Sequence, residues 1–348
     1  MPLFGRKAKS DGSIWDYKTD RQVYSFGFSH DELSIAAIAG GDPGMAYLFS
    51  HSDGLLYTHD APDAFYDISV APDGSYLAIG GYDGNVYSLS RSGGARWKYQ
   101  TGKPVRRVCI YSPDSRIVAG TDGAGVFAFE QSGKLLWHFE AGGGCTQICA
   151  SQDGSVIAIL VGAKTYVLSA LGELLWDYQP TNGKASHISL SQDGSLLAVG
   201  WSLESPVGRP RPGRACLFDR SGKPLWQYEF DEPVFGICLA SGGSVVTVST
   251  FDQNNTGKLH VFDPAGKREW VKSGKNGYLV RTVSVAADGS LIAMSADKLF
   301  VFNRAGDAVW ERNIAGGVTD ARISQSGKLL VAGSGERVFL FDMDKVKV

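Results

Sequence analysis

Cys145 and Cys149 stand four residues apart, directly after three glycines, Gly142, Gly143 and Gly144. A C-x3-C pair offers two soft ligands of a four-coordinate zinc site, and the rest must come from a second Cys or His pair at ligand spacing. The six histidines are scattered over separate segments and supply no such pair. A glycine-rich loop cradles phosphate when it leads into a helix N-terminus or a nest followed by Lys and Ser/Thr. Here the next residues are CTQICAS, so these glycines read as a turn. HExxH, the G-x-S-x-G elbow, the P-loop and the dinucleotide fingerprint are all missing from the sequence. The expectation is a non-enzyme with no catalytic residue, no metal and no cofactor.

Two other sets of residues could recognise a partner. The stretches 201–214 (WSLESPVGRPRPGR), 249–258 (STFDQNNTGK) and 272–279 (KSGKNGYL) bring Arg209, Arg211, Arg214, Lys258, Lys272 and Lys275 together with Tyr278. Only Glu204 and Asp252 oppose them. Two readings stand: a contact ridge for an acidic protein surface, or a set of solvated loops. Nucleic acid is disfavoured, because the stretches lack repeated aromatics for base stacking. The second set lies just ahead of recurring apolar runs: Tyr24, Tyr66, Asp67, Arg106, Arg107, His187, Arg281 and Asp320. These side chains could bind a small anion or a partner's side chain, or simply hold water.

The elements that must position both sets follow from a repeat. Trp15, Tyr57, Trp97, Trp137, Trp176, Trp226, Trp270 and Trp310 succeed one another at spacings of 42, 40, 40, 39, 50, 44 and 40 residues. Between them lie short runs rich in Val, Ile, Leu and Phe, divided by DG, SG and GG turn signals, with no sustained helical period. Four short strands every 40 residues describe a β-propeller blade. In seven repeats the aromatic follows the polar residue that ends the third strand by seven positions, from Ser50–Tyr57 to Asn303–Trp310. The eighth, after Asp342, would need a residue beyond 348. The missing outer strand sits instead around Trp15, so residues 13–18 should lie beside 336–342 and close the ring. The expected fold is all-β: one eight-bladed propeller over 13–348, preceded by a short basic tail, 1–12.

The recurring F-[D/E/N/S]-x-x-G-x-x-x-W, seen in FDRSGKPLW, FEQSGKLLW and FDPAGKREW, resembles the tryptophan-docking motif of the pyrroloquinoline-quinone-like repeat family. The SxDG turns and four-strand phasing also resemble WD-repeat propellers, without their GH and WD dipeptides. The resemblance implies eight blades and an inter-blade role for each tryptophan. One position on the first strand reads Gly27, Ser69, Cys109, Cys149, Ser189, Cys238, Ser284 and Arg322. Small residues there suggest close blade packing; Arg322 breaks the rule.

Composition fits a soluble chain: 43% hydrophobic, 20% charged, 44 glycines and a net charge of −2 over 348 residues. The N-terminus lacks a secretory h-region, the longest apolar run (156–162) is too short to span a bilayer, and five irregularly spaced cysteines make no disulfide framework. A cytoplasmic setting without membrane contact is expected. Repeat length varies only between strands two and three and before strand one, loops that open on one face of a propeller. That face is where a repeat protein often binds. The expected function is a scaffold that docks a protein partner or multi-subunit complex on this loop-rich face. The alternative is a quinone-dependent dehydrogenase-like or small-molecule-binding propeller that uses the channel mouth. For that the resemblance would imply export, a calcium loop and vicinal cysteines, none of which the sequence shows.

Overall fold

A computed structural model describes residues 12–111, 114–205, 211–254, 256–274 and 280–346. The expected tail therefore lies outside the described residues, apart from Gly12. The described residues form eight four-stranded antiparallel meanders. Blades 1 to 7 span 23–60, 65–100, 105–139, 145–178, 184–230, 234–273 and 282–312, each running in chain order from the axis outwards. Blade 8 takes three strands from 320–342 and its outermost strand, Ser13–Lys18, from the start of the chain. Ser13–Lys18 pairs antiparallel with Arg337–Asp342, and Asp16 meets Arg337 at 2.8 Å. The innermost strands touch their neighbours around the whole ring, blade 8 against blade 1 included. The closure expected from the phasing is the closure observed.

Burial explains why the strands read as they do. A second strand has a blade packed on each side, so Ser34–Ala39 and Tyr76–Gly81 are buried at every residue and read as unbroken apolar or small-residue runs. An outermost strand has one solvated face, so Ala95–Gln100 and Pro224–Phe230 keep a polar–apolar alternation. The core is accordingly divided into apolar layers between successive blades, such as the one holding Val199, Trp201 and Phe218 against Val156 and Leu160.

The recurring aromatics tie these layers together. Each is half-buried, and those of blades 1 to 6 and blade 8 reach the turn between the third and fourth strands of the next blade. Trp176 Nε1 donates to Arg220 O at 3.0 Å, Trp97 to Gln131 O at 2.9 Å, and Trp15 of blade 8 to His51 O of blade 1 at 3.0 Å. Tyr57 makes the same contact through its hydroxyl, to Ser90 O at 3.1 Å. The motif's glycine is the seat of the preceding blade's ring. Gly222 has φ of +85°, and a Cβ there would stand 2.7 Å from Trp176 Cδ2. Blade 8 ends in a short helix, Met343–Val346, instead of that turn. Trp310 packs against the layer that holds Met343 and Val346, with its ring 5.0 Å from that of Phe341.

Candidate partner-docking face

A meander that runs outwards places its second-to-third connection and its exit to the next blade at the same end, so one face of the ring collects both. At that face the innermost strand of each of blades 1 to 6 begins with a β-bulge. The register against the second strand skips one residue at Tyr24, Tyr66, Arg106, Thr146, Ser186 and Phe235. A bulge re-aims side chains at the rim of a sheet. It explains why two successive residues escape the core here, where strict alternation would bury one of them.

The channel-mouth residues divide by depth. Tyr24 is exposed and its hydroxyl reaches Phe65 O of the next blade. Tyr66 stands 5.7 Å from the ring of Tyr82 and carries the Arg106 guanidinium over its face at 4.4 Å, while Arg106 pairs with Asp122 at 2.8 Å. Arg281 is exposed at the rim, where its amide donates to Ser295 O. Deeper in, Asp67 Oδ2 accepts from Val108 N of the next blade at 3.0 Å, and burial pushes its carboxyl above the ordinary range. Arg107 and His187 share this depth. Burial, and then the charges of Arg107 and Arg322, lower the His187 pKa to about 4. Asp320 is buried, takes Ala321 N at 2.8 Å and meets Arg322 at 3.3 Å. Tyr82 and Phe235, both exposed, complete the aromatic part of the rim.

The small-residue position has a hydrogen-bonding role as well as a packing one. An innermost strand presents unpaired amides towards the neighbouring blade. Ser69, Ser189 and Ser284 hydroxyls accept from Ile110, Leu239 and Ile323 N of the next blade at 3.0, 2.9 and 3.1 Å. Cys109, Cys149 and Cys238 hold the equivalent position in blades 3, 4 and 6, where burial raises their thiols above the ordinary range. Arg322 cannot accept a hydrogen bond. Its side chain projects half-exposed into the channel beside Asp320.

Among the ridge residues, Arg209, Lys275 and Tyr278 lie outside the described residues. The extra length in blades 5 and 6 goes partly into strands: Leu196–Ser202 and Gly213–Asp219 each have seven residues, against five in the corresponding strands of blade 4. Arg214 therefore stands on a strand opposite Glu229 and pairs with it at 2.9 Å. Lys258, also on a strand, pairs with Glu232, which accepts from Thr250 as well. Lys272 is exposed on the outermost strand of blade 6. Arg211 is exposed and borders two clefts. One, about 460 Å³, lies between blades 5 and 6 among Ser202, Asp231, Glu232, Pro233, Phe251 and Gln253. The other, about 360 Å³, is bounded by Lys184, Leu203 and Glu204. Among the described residues no cluster of His, Cys, Asp and Glu could hold a metal ion, and no helix is long and apolar enough to cross a membrane.

Solved structures with this fold include Sqt1 from Chaetomium thermophilum bound to the N-terminus of the ribosomal protein L10. It is 16% identical, with a TM-score of 0.75 over 96% of this chain and 100% of that one. The Dos1 propeller is 12% identical, with a TM-score of 0.74 over 96% of this chain and 97% of that one. BamB from Moraxella catarrhalis is 15% identical, with a TM-score of 0.68 over 95% and 99%. At these identities the likeness is one of fold. No curated protein matches the sequence. The model of a PQQ-type repeat family, described as outer membrane protein assembly factor BamB, matches residues 64–210 and 167–344. With most of its length matched and the docking motif repeated around a closed eight-bladed ring, the chain belongs to this PQQ-like propeller family.

Proposed function

We propose that this propeller is a non-catalytic scaffold that docks a protein partner, alone or as part of a complex, on its loop-rich face. The observation that carries the reading is the coincidence of three features on that one face. The repeat is broken there by the long connections of blades 5 and 6. The cleft of about 460 Å³ opens there, with Phe251 and Pro233 beside charged Arg211, Asp231 and Glu232. The exposed aromatics Tyr24, Tyr82 and Phe235 stand there as well. Aromatic anchors next to a desolvated pocket with a charged rim are how protein interfaces concentrate binding energy. A closed ring holds these groups with little ordering cost on association.

Two similarities support a protein as the occupant: a neighbour of the same fold was solved with a ribosomal-protein N-terminus, and the family description is that of an assembly factor. The five free cysteines fit a reducing, cytoplasmic setting. The test is affinity capture from the source cell with the chain itself, with Arg211→Glu/Phe251→Ala, and with Lys134→Glu/Lys223→Glu on the opposite face. The partner should be lost only with the first pair. Capture that survives it and fails with the second would put the interface elsewhere.

A further inference from the structure

The wall of the channel holds more hydrogen-bonding capacity than the fold uses. The bulges at Arg106 and Ser186 turn Arg107 and His187 into the lumen, and Arg322 occupies the position that is small in the other blades. Among the described residues the Arg107 side chain donates once, from Nη1 to Arg106 O at 3.0 Å. Arg322 donates from Nε to Asp320 alone, at 3.3 Å. The remaining N–H groups of both guanidinium forks are open. His187 Nδ1 is buried with no hydrogen-bond partner. In the register against the second strand, Asp67, Arg107, His187 and Asp320 stand opposite the equivalent glycines Gly80, Gly120, Gly200 and Gly333, which puts these positions of blades 2, 3, 5 and 8 at one depth of the channel, where Asp320 holds Arg322.

The carboxylates of that stretch are already engaged by the fold. Asp67 accepts from Val108 N and from Ser25 Oγ at 3.4 Å, and Asp320 accepts from Ala321 N and Arg322. The surplus is thus one of donors.

We infer that this part of the lumen is a binding site for a small oxyanion, a carboxylate or phosphate group, held between Arg107 and Arg322 with His187 as a neutral hydrogen-bonding partner. The planar guanidinium fork matches both oxyanions in geometry, and charge-assisted bonds of this kind are the strong ones. An anion on the axis would also favour the imidazolium of His187 and lift its pKa from the depressed value.

The site is tested on the intact chain by titrating inorganic phosphate, and separately succinate, while following the His187 ring resonances. Sodium chloride at matched ionic strength is the reference. A saturable shift with the oxyanions and none with chloride is expected. Arg107→Gln should weaken binding about tenfold or more, and Arg107→Lys should recover part of it. Circular dichroism melts confirm that both variants fold. No saturable shift, or equal affinity in Arg107→Gln, overturns the assignment. The titration needs no partner, so its failure and that of the docking proposal are separate results. Where it succeeds, release of a captured partner by excess succinate identifies the natural anion as a partner's carboxylate, and retention identifies a free ion.

Discussion

Replacing Gly222 with alanine probes the joint between blades 4 and 5, and its cost can be worked out beforehand. The backbone there has φ of +85°, and the new Cβ would stand 2.7 Å from Trp176 Cδ2. The left-handed backbone disfavours a side chain by about 1–2 kcal/mol. Displacing the indole adds about 1–2 kcal/mol of overpacking. Trp176→Ala removes the seated ring instead. Half of an indole's roughly 150–250 Å², at about 25 cal/mol per Å², amounts to about 2–3 kcal/mol. The lost bond to Arg220 O adds about 1 kcal/mol. In the double variant no ring is left to displace, so Gly222→Ala retains only its backbone cost. A double-mutant cycle followed by urea unfolding and far-ultraviolet circular dichroism should therefore give a coupling of about 1–2 kcal/mol. Strictly additive losses would refute the claim that this glycine exists to seat the tryptophan.

Deleting residues 13–18 removes the outer strand of blade 8 and leaves Arg337–Asp342 as an open edge; light scattering should show self-association, and an unchanged monomer with an unchanged Tm contradicts the closure. Ser189→Ala orphans the Leu239 amide and should cost about 1 kcal/mol, whereas Cys149→Ser installs the hydroxyl that blades 2, 5 and 7 already use and should be nearly neutral by urea midpoint. Burial pushes the Cys109 and Cys145 thiols up to about 12, so iodoacetamide at pH 8 should label them far more slowly in the folded chain than in urea. Rapid labelling of the folded chain would contradict their burial. His260 is buried, and burial lowers its pKa from 6.5 to about 4, so the unfolded chain binds this proton more readily. The stability it contributes is full above about pH 6.5 and falls as the pH drops towards 4, by about 2–3 kcal/mol. His260→Gln should flatten that slope in urea midpoints, and an unaltered slope would reject the assignment.

The architecture was legible because each blade repeats one solution, so spacing and the seven-residue step to the aromatic carried both the count and the closure. The site was harder to read, for identifiable reasons. Arg214 and Lys258 fall within stretches that read as insertions, yet both stand on strands. Their counter-ions Glu229 and Glu232 come from segments outside those insertions: cross-strand register brings Glu229 to Arg214, and the connection from blade 5 to blade 6 brings Glu232 to Lys258. The channel-mouth positions were recognisable as non-core, but the bulge that turns two successive residues out of the core leaves no signature in a string that elsewhere alternates. Arg322 stood out as an exception without an explanation. Its partner Asp320 was already a mouth residue, two positions upstream, which is the same-face spacing of a strand. The cleft between blades 5 and 6 depends on Phe251 and Pro233, apolar residues that no spacing rule separates from the core.

The central claim is that one face of the ring meets a protein and the other does not. Photo-crosslinking in the source cell tests it most directly, with a benzophenone amino acid placed one site at a time at Tyr82, Arg211 and Gln253 on the loop-rich face and at Lys134, Arg220 and Lys267 on the opposite face. The account predicts a discrete protein adduct from the first three positions and none from the others. Adducts confined to the opposite face, or absent from all six positions, would contradict it.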